Sequence, residues 1–296
     1  MPHTEAIAVG KTALSRSETG VRRLRDHDLP DMAERLGHIV FEASEIVLRA
    51  YEAGVPIRLK ADQSPVCSAD ETSEAVILAA LARQFPQIPV VAEEAVSRGA
   101  APVVGGAFFL VDPLDGTREF AARNGEFTVN IAFIQDSAPV CGAVCSPTKH
   151  ELYLGFYDEA YHCVVAPGGG LPDAAARRRI HTRPAGNELD ALVSRSSLDA
   201  ASQAFLARLP MRQQRPVGSS IKFCMIAAGE ADLYPRFGPT MEWDTAAGDA
   251  VLRAAGGAVL DASGKPLRYG NSAAGFHNSA FVAWGDAQAA ARLSPR

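Results

Sequence analysis

The sequence has no stretch approaching roughly 18 consecutive apolar residues, so no membrane-spanning helix is expected. Its first 28 residues, MPHTEAIAVGKTALSRSETGVRRLRDHD, lack the apolar core of a signal peptide. Residues 1–27 mix Ser, Thr, Arg and Gly and read as a flexible extension. Positive charge is not in excess: 29 Lys and Arg stand against 34 Asp and Glu, for a net charge of −5. That excludes a nucleic-acid coat and a basic membrane patch. An anionic ligand would have to be held by local cations or metal ions. None of the five cysteines forms a Cys-x-x-Cys pair, so no zinc site is signalled. Their odd number in a long chain reads as buried thiols in a reducing compartment. Cys141 and Cys145 lie four apart in an alternating stretch and should share one strand face. No internal repeat and no low-complexity segment is present. A soluble cytoplasmic protein is expected, with no nucleic-acid partner and no integral membrane segment.

What is present is a chain of 296 residues, 47% hydrophobic, enough for one large domain or two ordinary ones. A helix is expected from Asp28 or Asp31, carrying Leu36, Ile39, Val40, Ala43, Ile46, Val47 and Tyr51 at helical spacing. Gly54 and Pro56 end it. IRLKADQSPVCSAD is expected to be a polar connection, and a second helix runs from Glu71 to Phe85. IPVVAEEA and AFFLVD read as buried strands, each ending in acids, with a loop at 96–106 between them. FTVNIAFI, PVCGAVCSP, ELYLGFY and AYHCVV read as antiparallel neighbours joined by hairpins. Pro167-Gly168-Gly169-Gly170 marks a boundary between an α+β part, 28–167, and an α/β part, 168–296. In the second part ALVSRSS, ADLYPRF, AVLDASG and SAFVAW read as strands. Residues 200–209, 219–230 and 243–257 read as helices.

Five acids stand at element ends: Asp70, Glu93, Asp112, Asp115 and Asp244. They come from four separate regions, and strand ends are where sites collect in α/β proteins. Burying such carboxylates is costly unless a cation compensates them. The set offers oxygen alone, with no histidine or cysteine at matching spacing, which favours Mg²⁺, Mn²⁺ or Ca²⁺ over zinc. So many acids exceed the need of one ion and fit two or three ions clamping a phosphoryl transfer. In VDPLDGTREF, Gly116 lets backbone N–H groups approach an anion, and the Thr117 hydroxyl can bind a phosphate oxygen. The residues alone thus point to a metal-dependent phosphate-handling site.

Glu93-Glu94, DPLDGT and WDTAAG, in that order, resemble the inositol monophosphatase superfamily over roughly residues 30 to 290. Within it, KADQSPVCSAD, LDGTREFAARNGEFTVNIA, GSSIKFC and ADLYPRFGPTMEWDTAAGDA are most similar to bacterial 3′(2′),5′-bisphosphate nucleotidases of the CysQ type. Two departures stand out. Cys67 replaces the usual Thr, and FHNSAFVA stands where Leu-Asn-Pro is commoner.

The resemblance implies a layered α-β-α-β-α sandwich with the site between its two parts. It implies that Glu93, Asp112, Asp115, the Leu114 carbonyl and Asp244 hold two or three Mg²⁺ ions. Asp70 and Thr117 would activate the attacking water, and Gly116 and Thr117 would receive the scissile phosphate. The implied reaction removes the 3′-phosphate of adenosine 3′,5′-bisphosphate, giving AMP and phosphate, within sulfur assimilation. 3′-Phosphoadenosine 5′-phosphosulfate is a further candidate substrate, and sensitivity to Li⁺ is implied as well. An inositol monophosphatase or broader sugar phosphatase of the same fold is the alternative. Peripheral attachment to the inner membrane face occurs among such enzymes, but no amphipathic anchor here demands it. Oligomeric state is left open.

A substrate with two phosphates needs cations away from the metals. Lys222, set among apolar neighbours, and Arg236 are the candidates, with Arg195 and the hydroxyls of Ser219 and Ser220 in addition. Glu94 reads as a supporting residue, Glu119 as a surface acid and Trp243 as packing. His38, His150, His162, His181 and His277 read as structural or exposed.

Overall fold

The structure is a computed structural model that describes residues 28–59, 65–166 and 168–293. The expected N-terminal extension, part of the KADQSPVC segment and Pro167 lie outside those residues. The chain opens with α1 (Leu29–Ala53), the two-residue strands β1 (Arg58–Leu59) and β2 (Pro65–Val66), and α2 (Ser68–Gln84). Next come β3 (Val90–Ala92), α3 (Glu93–Ser97), β4 (Ala107–Asp115) and α4 (Thr117–Ala121). A run of strands follows: β5 (Thr128–Gln135), β6 (Ala138–Ser146), β7 (Glu151–Phe156), β8 (Glu159–Val164) and β9 (Arg178–Arg179). The remainder is β10 (Leu189–Ser194), α5 (Ala200–Leu206), β11 (Met211–Val217), α6 (Ile221–Ala227), β12 (Leu233–Arg236), α7 (Ala246–Ala254), β13 (Ala258–Asp261), β14 (Phe281–Trp284) and α8 (Ala287–Leu293).

Strands β3 to β9 form one seven-stranded sheet in chain order, antiparallel except for the β3–β4 pair. A five-stranded mixed sheet has the order β11-β10-β12-β14-β13. The expected divide at 167/168 falls between β8 and β9, both members of the first sheet. The chain enters the second sheet at Leu189.

The layers follow from strand alternation. On β5, Val129, Ile131 and Phe133 face α1 and α2, whereas Ala132 and Ile134 face the core shared with α6 and α7. On β14, Phe281 and Ala283 face that same shared core, and Val282 and Trp284 face α5 and α8. Helices α6 and α7 therefore lie between two sheets, each of which carries a second helical pair on its other face. This is the α-β-α-β-α sandwich. Contact between α7 and the first sheet is backbone-close: a Cβ on Gly155 would sit 2.4 Å from Val251 Cα. Cys141 and Cys145 share the α1 face, and all five cysteines are free thiols, buried.

Several boundaries differ from the sequence reading. Helix α2 starts at Ser68, not Glu71, because Cys67 takes the cap position and Asp70 accepts its N–H. Glu93 and Glu94 open α3 rather than ending a strand. The third predicted C-terminal helix begins with a 3₁₀ turn, Glu242–Asp244, before α7. Strand β11, MRQQRPV, was not anticipated. It is a mostly exposed edge strand and shows no apolar alternation, and Pro216 is tolerated there.

Candidate active site

The geometry of VDPLDGT begins with parity. In a regular strand, residues three apart face opposite sides. Here Asp112 pairs with Asn130 and Asp115 with Thr128, so three steps on β4 span two on β5. This is a β-bulge, and it turns both aspartates to the same side. Pro113 has no N–H to lose at such a point, and Leu114 N–H donates to Asp112 Oδ1 (3.0 Å). Ser73 of α2 donates to Pro113 O (3.1 Å), fixing the bulge against the helix that carries Asp70.

Asp244 arrives from the other half of the chain. Its Oδ2 accepts Met241 N–H (2.9 Å), which closes the 3₁₀ turn ahead of α7. Glu242, buried in the same turn, accepts the N–H groups of Gly270 (2.6 Å) and Asn271 (2.8 Å) and anchors it. One carboxylate oxygen from each of Asp112, Asp115 and Asp244 lies within 4.8 Å of the others. Burial, then the charge of Glu93, then that of Asp115, pushes the Asp112 carboxyl well above its usual range. Burial and the Asp115 charge do the same to Asp244. Burial raises Asp115 to about 6, opposed by Lys222 and by the N–H of Ser220, which donates to its Oδ2. Acids so placed repel one another and have lost water, and hard oxygen donors in this arrangement fit a divalent cation.

Glu93 lines the same cleft at the start of α3. Buried Glu74 holds that start: its Oε2 accepts Glu94 N–H (2.7 Å) and its Oε1 accepts Arg98 (2.9 Å). Glu94 is buried beside it. Asp70 is buried in the first turn of α2, where Oδ2 accepts the N–H of Cys67 (2.9 Å) and its thiol (3.0 Å). Asp70 Oδ1 is buried with no hydrogen-bond partner among the described residues. Burial pushes this carboxyl up to about 6, and burial likewise pushes the Cys67 thiol up to about 12, so the thiol stays a donor.

Gly116 has φ +91°, and a Cβ there would meet Glu126 O at 3.0 Å and Phe127 Cα at 3.3 Å. Only glycine fits. Thr117 Oγ1 donates to Leu114 O (3.1 Å), leaving that carbonyl a second lone pair. Glu93, Asp115, Gly116, Thr117 and Asp244 line a cleft of about 550 Å³, within the usual range for small-molecule sites, whereas Asp70, Asp112 and Leu114 are not among its lining residues.

Two buried cations, Lys222 and Arg236, line the same cleft. Lys222 is buried, donates to Val217 O (3.2 Å) and Ser219 O (2.5 Å), and sits 4.8 Å from the Tyr234 ring centroid. Burial lowers its pKa to about 8, so it remains protonated at neutral pH. Arg236 donates to Ser197 O (2.6 Å) and Pro239 O (2.8 Å).

Four sequence expectations need correction. Arg195 is not in the cleft lining; its guanidinium is tied to Glu126 through bonds of 2.6 and 2.7 Å. The Ser220 hydroxyl is buried between Thr128 and Asn130 (both 2.8 Å), so its part in the site is the N–H given to Asp115. Glu119 is not a surface acid: it is buried, lines the cleft and accepts the Ser196 hydroxyl. His277 also lines the cleft. Ser219 lines the cleft, and Trp243 packs near Phe276. Sequence reasoning missed Arg118 altogether, although it directly follows Gly116-Thr117 and lies on the cleft wall.

The inositol monophosphatase family profile matches residues 29–293. The chain is 40% identical over 240 residues to the 3′(2′),5′-bisphosphate nucleotidase CysQ of Escherichia coli (strain K12), covering 80% of this chain and 94% of that one. It is 34% identical over 255 residues to the protein of the same name from Buchnera aphidicola, covering 85% and 93%. The crystal structure of CysQ from Bacteroides thetaiotaomicron superposes with a TM-score of 0.72 at 38% identity, covering 86% of this chain and 97% of that one. An inositol monophosphatase from Zymomonas mobilis shares the fold, with a TM-score of 0.71 at 24% identity. From its first helix to its last, this chain belongs to the inositol monophosphatase family.

Proposed function

We propose that this protein is a Mg²⁺-dependent phosphatase that converts adenosine 3′,5′-bisphosphate to AMP and phosphate. One observation carries the reading: a single cleft holds acids of the carboxylate cluster together with two buried cations, Lys222 and Arg236. The carboxylates suit a cation beside the reacting phosphate, and the cations suit a second anionic group. The names of the relatives at 34–40% identity supply the substrate class. Metal dependence is general to the family. That the ion is Mg²⁺, and that two or three are held, is our own reading of the donor set.

Glu93, Asp112, Asp115, Asp244 and the Leu114 carbonyl would hold the ions. Bound there, a divalent cation neutralises phosphate charge and acidifies water. The residues of the chain then have separate tasks. Gly116 and Thr117 offer backbone N–H groups to the scissile phosphate, which the absence of a Cβ at Gly116 lets approach. Asp70, with a free lone pair on Oδ1 and a raised pKa, takes a proton from the attacking water. Thr117 steers that water through its hydroxyl. As the water oxygen bonds to phosphorus, the P–O3′ bond breaks and the ribose oxygen, taking a proton from solvent, becomes the 3′-hydroxyl of AMP. Lys222 and Arg236 hold the remainder of the anion.

The test is phosphate release from adenosine 3′,5′-bisphosphate, inositol 1-phosphate and fructose 1,6-bisphosphate with Mg²⁺ present. The nucleotide should give the highest kcat/KM. A preference for either sugar phosphate would sink the nucleotide reading in favour of a broader sugar phosphatase. Among the described residues no helix is long and apolar enough to cross a membrane.

A further inference from the structure

We infer that Glu126 and Arg195 form a positioning clasp that sets Lys222 in the cleft. This rests on the bisphosphate reading above, in which Lys222 helps to hold the part of the anion that is not cleaved. Lys222 is placed by the backbone just ahead of α6: its Nζ donates to Val217 O (3.2 Å) and Ser219 O (2.5 Å). Whatever fixes residues 216–219 therefore fixes the ammonium. Ser219 sits at φ +50°, a left-handed conformation that a non-glycine residue keeps only where its surroundings impose it.

The restraint starts where the sheet stops. Pairing of β10 with the edge strand β11 ends at Ser194 and Val217. There the Arg195 N–H donates to Val217 O (3.3 Å), and Arg195 Nη2 donates to Pro216 O (2.7 Å). Glu126 Oε2 accepts the N–H of Gly218 (2.7 Å) and also Arg195 Nε (2.6 Å), while Oε1 accepts Arg195 Nη2 (2.7 Å). The two-bond fork locks the carboxylate, and the carboxylate locks residue 218. Glu126 comes from the other part of the chain, just ahead of β5, and its carbonyl closes the space at Gly116, where a Cβ would meet it at 3.0 Å. Gly218 lies equally close: a Cβ there would sit 2.5 Å from Glu119 Cγ and 2.8 Å from Glu126 O. Two residues further on, the Ser220 N–H reaches Asp115. The clasp thus joins the side of the cleft that carries the phosphate seat to the start of α6.

Exposure separates this role from a stabilising one. The Arg195 side chain is 39% exposed and that of Glu126 22%, and an ion pair in contact with water adds little to stability. Its effect lies in geometry, because its bonds converge on Pro216, Val217 and Gly218, next to the carbonyls that orient Lys222. Lys222 is buried, with its Nζ 4.8 Å from the Tyr234 ring centroid, so its ammonium follows the backbone that carries its acceptors. Arg195 stands outside the cleft lining and acts on the substrate through Lys222.

The experiment measures kcat and KM with Mg²⁺ for adenosine 3′,5′-bisphosphate and for adenosine 3′-monophosphate. The proteins are the full-length wild type, Glu126→Ala, Arg195→Ala, Lys222→Met, and Lys222→Met carrying Arg195→Ala, with unfolding midpoints recorded for each. In Glu126→Ala and Arg195→Ala the KM for the bisphosphate should rise about fivefold to tenfold, as expected for a misplaced binding group. The KM for the monophosphate should stay within about twofold, and the midpoint within about 2 °C of wild type. Added to Lys222→Met, Arg195→Ala should cost less than about twofold more, because the group it positions is gone. A bisphosphate KM within about twofold of wild type in both clasp variants would overturn the clasp. So would an Arg195→Ala effect as large without Lys222 as with it, or an equal loss on both substrates together with a fall in midpoint. A wild type that fails to turn over the bisphosphate would instead overturn the reading beneath it, so the two failures are told apart.

Discussion

Replacing Asp112 by Asn should stabilise the metal-free protein and weaken its response to metal. The oxygens of Asp112, Asp115 and Asp244 lie within 4.8 Å of one another. At an effective dielectric of about 20, two unit charges at that separation repel by about 3.5 kcal/mol. Protonation relieves part of this, since burial holds all three carboxyls above their usual range and the Asp115 charge adds to it for Asp112 and Asp244. A net gain of about 1–2 kcal/mol remains, which for a chain of this size is a rise in unfolding midpoint of about 3 °C. The Asn carbonyl can still accept the Leu114 N–H, so the bulge need not be disturbed. The assay is calorimetric unfolding near neutral pH, first in chelator and then across a Mg²⁺ titration. In chelator the variant should melt above the wild type. With Mg²⁺ at about a hundred times its Kd the wild type should gain about 2.7 kcal/mol, and the variant distinctly less. A variant that melts below the wild type in chelator, with a wild type indifferent to Mg²⁺, refutes the account of a repulsive cluster built for cations.

Further predictions concern the cap of α2 and the second sheet. Cys67→Ala removes the thiol donor to Asp70 and should raise that carboxyl further above about 6. A base works only when deprotonated, so the acid limb of the kcat/KM profile should move to higher pH. Cys67→Thr, a stronger donor, should move it back, and an unmoved limb in the Ala variant removes Asp70 as the base. Asp190 is held far below the usual carboxylate range by Arg212 and Arg183. Its stabilising effect is fully present above the unfolded pKa of about 3.9 and is lost as pH falls through its lower native value. Asp190→Asn should therefore lower the unfolding midpoint at neutral pH, by about 1–3 kcal/mol of stability, with the deficit shrinking only in strong acid. A deficit that is the same at all pH values would show that charge is not its cause.

The strands of the first sheet were legible because they are buried on both faces and alternate little with polar residues, as in FTVNIAFI. The acids of the site were legible because five oxygen donors at element ends have few other uses. The bulge was not, since DPLD reads equally well as a turn. Only pairing with Asn130 and Thr128 shows that Asp112 and Asp115 face the same way. Edge strand β11 was hidden because solvent, not a core, sets the composition of its exposed side chains. Which arginine lines the cleft was hidden too. Arg195 and Arg118 have equal chemistry in one dimension, and only the partner of each, Glu126 against the Ser197 hydroxyl, separates them.

The most direct test of the central claim is the Mg²⁺ dependence of phosphate release from adenosine 3′,5′-bisphosphate, measured for the wild type and for Asp115→Asn. Wild-type turnover should rise saturably with Mg²⁺ and vanish in chelator, while the folded variant should show almost none at any Mg²⁺ concentration. Turnover that persists in chelator, or that Asp115→Asn leaves intact, would contradict the account.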